Sequence, residues 1–401
     1  MEEREERPKV VIVTPGTFKV PSDYSSSVER VADEVSKRLS SHVRMYVISK
    51  KTSGASAHEV LQGVTHIRPT ARTSRSYRDA ALTWLERQKP DLIQVENRPK
   101  LVRYIKNRCP ESKVWLSLHS ITFLSSKHIS KAALRLSLLA ADRIIVNSRF
   151  LREEVCRQFP NVRSKISINH LGVDVKAFES QWEPAGMRRR EADKKRYGLA
   201  GRSIVVFAGR LLPIKGVHHL LQAWPAVIKR HPKALLLVIG SAYYGSKRLT
   251  PYVRRLHKKG RTMRKHIRFL SYCPYSEMPR YLAMADMVVV PSGKKEAFGL
   301  VNVEAMSAGA PLVASRVGGM KEIIRDGING YFVAPGRLKK GLSRPIHALL
   351  ASEEKRRRMG ESGAKLARRA FTWQHTADRQ LALYRRYMPI FHTAGSVSIG
   401  E

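Results

Sequence analysis

Short, mainly apolar runs alternate along the chain with stretches whose apolar residues recur every three or four positions. Runs at residues 9–14, 92–95, 114–118 and 143–146, then at 203–208, 287–290 and 310–315, read as buried parallel strands. Between them, Val28, Val31, Ala32, Val35 and Leu39 mark one helix, and Val217, Leu220, Leu221, Trp224, Val227 and Ile228 mark another, with Pro225 expected to kink it. Leu300, Val303, Met306 and Ala310 mark a third, and beyond Pro335 the chain reads as helices, the last from about His375 to Met388. Strands alternating with helices predict an α/β architecture of doubly wound parallel sheets. A chain of 401 residues exceeds one ordinary core and suits two domains. Residues 181–198 contain Pro184, Gly186, many charges and no strand pattern, which places the boundary there.

Charge changes the picture of partners rather than of fold. Lys and Arg number 74 against 33 Asp and Glu, a formal net charge of +41. The excess concentrates in Arg188–Arg190 with Lys194–Arg196, in Lys355–Arg358, and in residues 254–268, which hold eight basic side chains and no acid. Such runs usually form solvated faces, but an excess this large also favours an anionic membrane surface or an anionic polymer. No zinc-ligand spacing or aromatic-rich sheet signature accompanies it, so no specific nucleic-acid partner is expected. Cys109, Cys156 and Cys273 are scattered and odd in number, which argues for a reducing compartment, and the charged stretch 1–7 does not read as a signal peptide. The expected location is cytoplasmic.

The most informative stretch is Glu296-Ala-Phe-Gly-Leu-Val-Asn-Val-Glu304, two carboxylates with seven residues between them around a turn that enters a helix. It follows an apolar run closed by Pro291 and Ser292, so Glu296 falls in a loop at the carboxyl end of a strand, where open α/β sheets bind ligands. Glu304 is expected about two turns into the helix. Either glutamate alone would ordinarily be a solvated or dipole-favouring residue. Upstream, the 203–208 run enters a glycine-bounded loop holding Arg210 and Lys215, one forked cation and one point charge, which suits a diphosphate. Downstream, Gly318-Gly319 permits close backbone approach to a ligand or to a neighbour.

Gly209-Arg210, Lys215-Gly216, Pro291-Ser292, Glu296-Ala-Phe-Gly299, Glu304-Ala-Met306, Gly309 and Gly318-Gly319 with Glu322 occur in this order, and together they resemble the family 4 retaining glycosyltransferases, with the strong match over about residues 203–335. The overall pattern is also similar to the spore coat protein SA group of that family. The resemblance implies two Rossmann-like domains facing a central cleft, the glycosyltransferase B fold. Residues 1–180 would form the acceptor domain, 181–200 a linker, 201–372 the nucleotide-sugar domain, 373–388 a helix crossing back to the first domain, and 389–401 a tail. It implies no metal and no cofactor other than the nucleotide diphosphate sugar itself.

Carried over residue by residue, the resemblance gives Glu296 a contact with the donor sugar near its anomeric centre, Glu304 the ribose hydroxyls, and Arg210 and Lys215 the departing diphosphate. Gly209, Phe298, Gly299, Leu300 and Val301 would line the nucleotide-sugar site. His119, which follows the 114–118 strand, matches a family histidine that faces the sugar. In the first loop, Ser25-Ser26-Ser27 stands where the family usually has adjacent glycines, so Ser26 and Ser27 would meet the donor with hydroxyls at a helix start and hold the backbone farther off. Base selection is expected around residues 269–272.

These readings predict a hexosyltransferase of the retaining type, with a UDP-sugar as the favoured donor and a glycan, lipid-linked or protein acceptor in the envelope, spore coat or a polysaccharide. Two other classes stay open: a coat or envelope structural protein with weak catalysis, suggested by the serines, and a polyanion-binding module, suggested by the charge. The sequence singles out neither the sugar nor the acceptor.

Overall fold

In the computed structural model, which describes residues 7–244, 249–271, 273–293 and 295–393, the apolar runs form two separate sheets. Residues 1–6 of the charged amino terminus, Tyr272 of the expected base-selecting stretch, and residues 394–401 of the expected tail lie outside the described residues. One unit takes residues up to Leu171 together with those from Trp373 onward, and the other takes Gly172–Thr372.

The first unit holds eight strands: β1 (Lys9–Val13), β2 (Arg44–Ile48), β3 (His58–Leu61), β4 (Val64–Ile67), β5 (Leu92–Glu96), β6 (Lys113–Leu118), β7 (Arg143–Val146) and β8 (Ile166–Ile168). Their order is β3-β4-β2-β1-β5-β6-β7-β8, parallel except for the β3–β4 hairpin at one edge. Val10, Val11 and Ile12 are fully buried mid-sheet, as a parallel strand covered on both faces requires. The helix Ser27–Leu39 packs against the helix Trp373–Tyr387, so the last long helix of the chain completes the first unit's core. Tyr384 of that helix is fully buried edge-on against Trp115 of β6. A short helix, Ile390–Thr393, follows.

The second unit holds β9 (Ser203–Ala208), β10 (Ala234–Ile239), β11 (Ile267–Leu270), β12 (Met287–Val290), β13 (Leu312–Ser315) and β14 (Gly330–Val333), all parallel, in the order β11-β10-β9-β12-β13-β14. Chain progression runs outward from β9 in one direction and from β12 in the other. The β9–β12 junction is therefore the topological switch point, where such sheets leave a crevice at their carboxyl ends. The helix Val217–Arg230 continues unbroken through Pro225, which sits on its exposed face.

The stretch expected to be a linker, residues 181–200, is instead an integral part of the second unit. It contains the helix Pro184–Arg196, and the reason is a buried carboxylate. Asp286, 5% exposed just before β12, receives Arg190 at 2.8 Å, lies 3.8 Å from Lys194 and 3.4 Å from Arg356, and accepts from the Ile204 amide at 2.6 Å. Gln181 and Trp182 add hydrogen bonds to the Ala285 and Gly309 carbonyls. Part of two basic runs thus neutralises an interior acid instead of forming a solvated face. Among the described residues no helix is long and apolar enough to cross a membrane.

Candidate active site

At the switch point, β9 and β12 deliver two loops that touch. Gly209 ends β9 with φ of 150°, and its amide donates to the Ile239 carbonyl of β10 at 3.0 Å. Arg210 follows, its guanidinium 5.6 Å from the ring centre of Tyr244. Pro213–Lys215 forms a single 3₁₀ turn closed by Gly216 in the left-handed region at φ +74°, where a Cβ would lie 1.8 Å from the Pro291 carbonyl oxygen. Only glycine lets the first loop lie so close to the second. The Gly293 amide donates back to the Ile214 carbonyl at 2.6 Å, fastening the two loops together.

This contact sets Lys215 against Glu296. The Lys215 Nζ donates to Glu296 Oε2 at 2.6 Å, and the Ser292 hydroxyl donates to the same oxygen at 2.8 Å. Burial pushes the Glu296 carboxyl up, but the Lys215 charge and hydrogen bond, the Ser292 hydrogen bond and the Arg210 charge outweigh it and hold the group below its ordinary value. The Glu296 carbonyl accepts from the Gly319 amide at 3.0 Å, and a Cβ on Gly318, at φ +54°, would fall 1.8 Å from that carbonyl oxygen. The glycine pair therefore serves close approach to a neighbouring backbone.

Gly299, at φ +80°, turns the chain into the helix Leu300–Ser307. Glu304 lies just over one turn into this helix, closer to its start than the expected two turns, because the helix begins only at Leu300. It is 5% exposed and accepts from the Tyr275 hydroxyl at 3.0 Å. The helix is buried on nearly every side, which is why it carries no polar face. Phe298, expected at the nucleotide sugar, places its ring in the core at 6.2 Å from that of Phe371, so only its backbone remains for a ligand. Leu300 is likewise buried, and Val301 is half-buried.

The other expected residues belong to the first unit. Ser26 is the N-cap of the helix Ser27–Leu39: its hydroxyl accepts from the Val28 amide at 3.2 Å and donates to Glu29. Ser27 is the first helical residue. Glu29 is 2% exposed, and burial raises its carboxyl above the usual range against the pull of Ser26 and of the Arg98 charge. His119 follows β6 and holds its Nε2 at 2.5 Å from Glu96 Oε2. Sequence reading gathered Arg210, Lys215, Glu296 and Glu304: Lys215 meets Glu296 with the Arg210 charge nearby, and Glu304 stands on the helix that follows. It missed Tyr275 and Glu96, the partners of Glu304 and His119. Glu96 carried a signal, a polar residue closing an apolar strand at its carboxyl end.

Residues 28–177 match the model of Glycosyltransferase Family 4, and residues 189–366 match that of Glycosyl transferases group 1. Spore coat protein SA of Bacillus subtilis (strain 168) is 32% identical over 378 residues, which span 94% of this chain and 99% of that protein. The chain belongs to glycosyltransferase family 4. Further from this family 4 chain, the lipopolysaccharide 1,2-N-acetylglucosaminetransferase of Salmonella typhimurium is 26% identical over 92% of the chain and 96% of that enzyme. Among solved structures, Anabaena Alr3699/HepE in complex with UDP superimposes with a TM-score of 0.75 at 21% identity, covering 94% of this chain and all of that one. The two α/β units are those of a glycosyltransferase B fold.

Proposed function

We propose that this family 4 glycosyltransferase moves a hexose-type unit from a UDP-sugar to an envelope, spore-coat or polysaccharide acceptor, with retention of anomeric configuration. The observation that carries the reading is the ionised Glu296 carboxylate held between Lys215 and Ser292 at the switch point, with Arg210 on the adjoining loop. The second unit takes the donor. Arg210 and Lys215 bind its diphosphate, Glu304, braced by Tyr275, accepts from the ribose hydroxyls, and Glu296 meets the sugar. The anomeric carbon–oxygen bond breaks with its electron pair passing to the β-phosphate, and the two cations act most strongly on that growing charge. The acceptor hydroxyl attacks from the same face, and its proton passes to the departing phosphate oxygen. No covalent enzyme nucleophile is required.

Three comparisons favour parts of this reading. HepE has been crystallised with UDP and with UDP-glucose, the Salmonella relative is a lipopolysaccharide transferase, and the Bacillus relative is a coat protein. The net charge of +41 favours a polyanionic acceptor or action in the cytoplasm at an anionic membrane face. A coat protein with weak catalysis is the second reading, favoured by Ser26, whose hydroxyl is committed to capping a helix.

The test is a panel of nucleotide sugars examined by calorimetry and by donor hydrolysis. Selective micromolar binding that disappears in Lys215→Ala and in Glu304→Ala is expected, with the released sugar's anomer reporting retention. No binding across the panel would overturn the enzyme reading in favour of the structural one.

A further inference from the structure

A hydrogen-bonded chain in the first unit runs from the last long helix to His119. Gln94 and Glu96 lie two residues apart on β5 and so share a face of the sheet. Glu96 is 1% exposed, and its Oε1 takes the Gln94 Nε2 at 2.7 Å while its Oε2 takes His119 at 2.5 Å. The Gln94 Oε1 in turn receives Gln380 Nε2 at 3.0 Å and the Tyr384 hydroxyl at 3.1 Å, both from the helix Trp373–Tyr387. Gln380 is held by Asn169, whose Nδ2 reaches its Oε1 at 3.0 Å and whose Oδ1 accepts from Arg379.

The direction of this chain is dictated by its chemistry. Two nitrogens, Gln94 Nε2 and His119 Nε2, meet the two Glu96 oxygens, and a carboxylate accepts from both. Gln94 must then present its amide nitrogen to Glu96 and its carbonyl to the helix, where Gln380 and Tyr384 donate to it. The same constraint puts a proton on His119 Nε2. His119 Nδ1 is left buried with no partner, and so is the Asn147 Oδ1. Both residues line a cavity of about 20 Å³ together with Gln94, Glu96 and Asn169, enough for one water or one hydroxyl group.

We propose that Glu96, held in place by Gln94 with Gln380 and Tyr384 behind it, is a positioning residue that locks His119 in the Nε2–H tautomer, so that Nδ1 offers a lone pair to one hydroxyl in this cavity. The helix Trp373–Tyr387 thereby braces the partner of a histidine more than 250 residues earlier in the chain. The effect on turnover rests on the donor-transfer reading above, whereas the tautomer does not.

The experiment uses the full chain with ¹⁵N-labelled imidazoles and long-range ¹H–¹⁵N correlation, His119 being assigned by its loss in His119→Gln. In wild type, His119 is expected protonated at Nε2 and bare at Nδ1. Glu96→Gln, whose side-chain amide can turn either its oxygen or its nitrogen to the ring, should convert it to a mixture of tautomers, whereas Gln94→Leu and Tyr384→Phe, which keep the acceptor and remove only what orients it, should leave the tautomer and weaken the His119–Glu96 hydrogen bond, read as an upfield shift of the Nε2 proton. A wild-type His119 protonated at Nδ1, alone or together with Nε2, or a tautomer pattern unmoved by Glu96→Gln in folded protein, would overturn the proposal. With a UDP-sugar that the enzyme hydrolyses, Glu96→Gln should lower kcat about tenfold with KM little changed. Unchanged kcat beside an altered tautomer would leave the relay standing and remove His119 from the reaction.

Discussion

Lys215 and Glu296, eighty-one residues apart in the chain, meet at 2.6 Å because one glycine, Gly216, lets their loops touch. The pair is formed within the second unit itself, before any ligand arrives. Under the proposed donor binding, Lys215 would turn part of its charge toward the diphosphate, and Glu296 would then depend more on Ser292.

Breaking this pair is expected to be pH-dependent. Glu296 has a folded-state pKa below its ordinary value, so its contribution to stability is present above the ordinary carboxylate range and is lost as pH falls through the folded value. Lys215→Met should cost about 2 kcal/mol at neutral pH, less than a fully buried pair because the Lys215 side chain is 28% exposed. The deficit should shrink in acid, where Glu296 takes up a proton. Urea unfolding of both proteins at pH 7 and at about pH 4 measures it, and an equal deficit at both would show that the pair contributes nothing electrostatic.

Gly318 supports the same carboxylate from the backbone side. A Cβ there meets the Glu296 carbonyl at 1.8 Å in a left-handed conformation, so Gly318→Ala should cost about 3 kcal/mol and lower the melting temperature by roughly 6–12 °C. Gly336→Ala is the control: nothing lies within 4 Å of its added methyl, and calorimetric melting should barely move.

Asp286 is surrounded by Arg190, Lys194 and Arg356. Asp286→Ala leaves those cations uncompensated and should cost about 3–5 kcal/mol. Limited trypsin digestion reads the local effect, since the helix Pro184–Arg196 is rich in cleavable Arg and Lys and is held by this acid. Cleavage there at the wild-type rate would contradict the assigned role.

His66 in β4 predicts a second acid dependence, this time in the first unit. Burial, and secondarily the Arg68 charge, depress its pKa from 6.5 to about 4. Below pH 6.5 the unfolded chain takes up a proton that the folded one refuses, so stability should fall by about 1.4 kcal/mol per pH unit until about pH 4. His66→Gln should flatten that part of the stability profile.

What the sequence made legible was local. β1, β9, β12 and β13 are each built on an unbroken apolar run, and the Arg210–Lys215 and Glu296 loops follow such runs directly. β10, an equally apolar run at Ala234–Ile239, was open to the same reading and was not singled out. The β3–β4 hairpin was hidden by the shortness of both strands and by the exposure of β3, although Gln62 and Gly63, both at positive φ, mark its turn. The helix Pro184–Arg196 looked like a linker because its partner Asp286 is 96 residues from Arg190. Phe298 and Glu304 show the same limit from the other side. Their motif placed them at the site, but only packing decides that one ring turns into the core and that one carboxylate leans on Tyr275.

The first unit is written in two pieces, with residues 172–372 between them. On the ribosome, β1 to β8 emerge long before the helix that supplies Gln380 and Tyr384. At about 5–20 residues per second that wait lasts on the order of 10–40 s. Throughout it, Trp115 lacks the Tyr384 ring and Gln94 lacks its two donors. The nascent first unit must therefore survive as an unfinished core, open to chaperones and proteases, and truncation before Trp373 would make that transient state permanent.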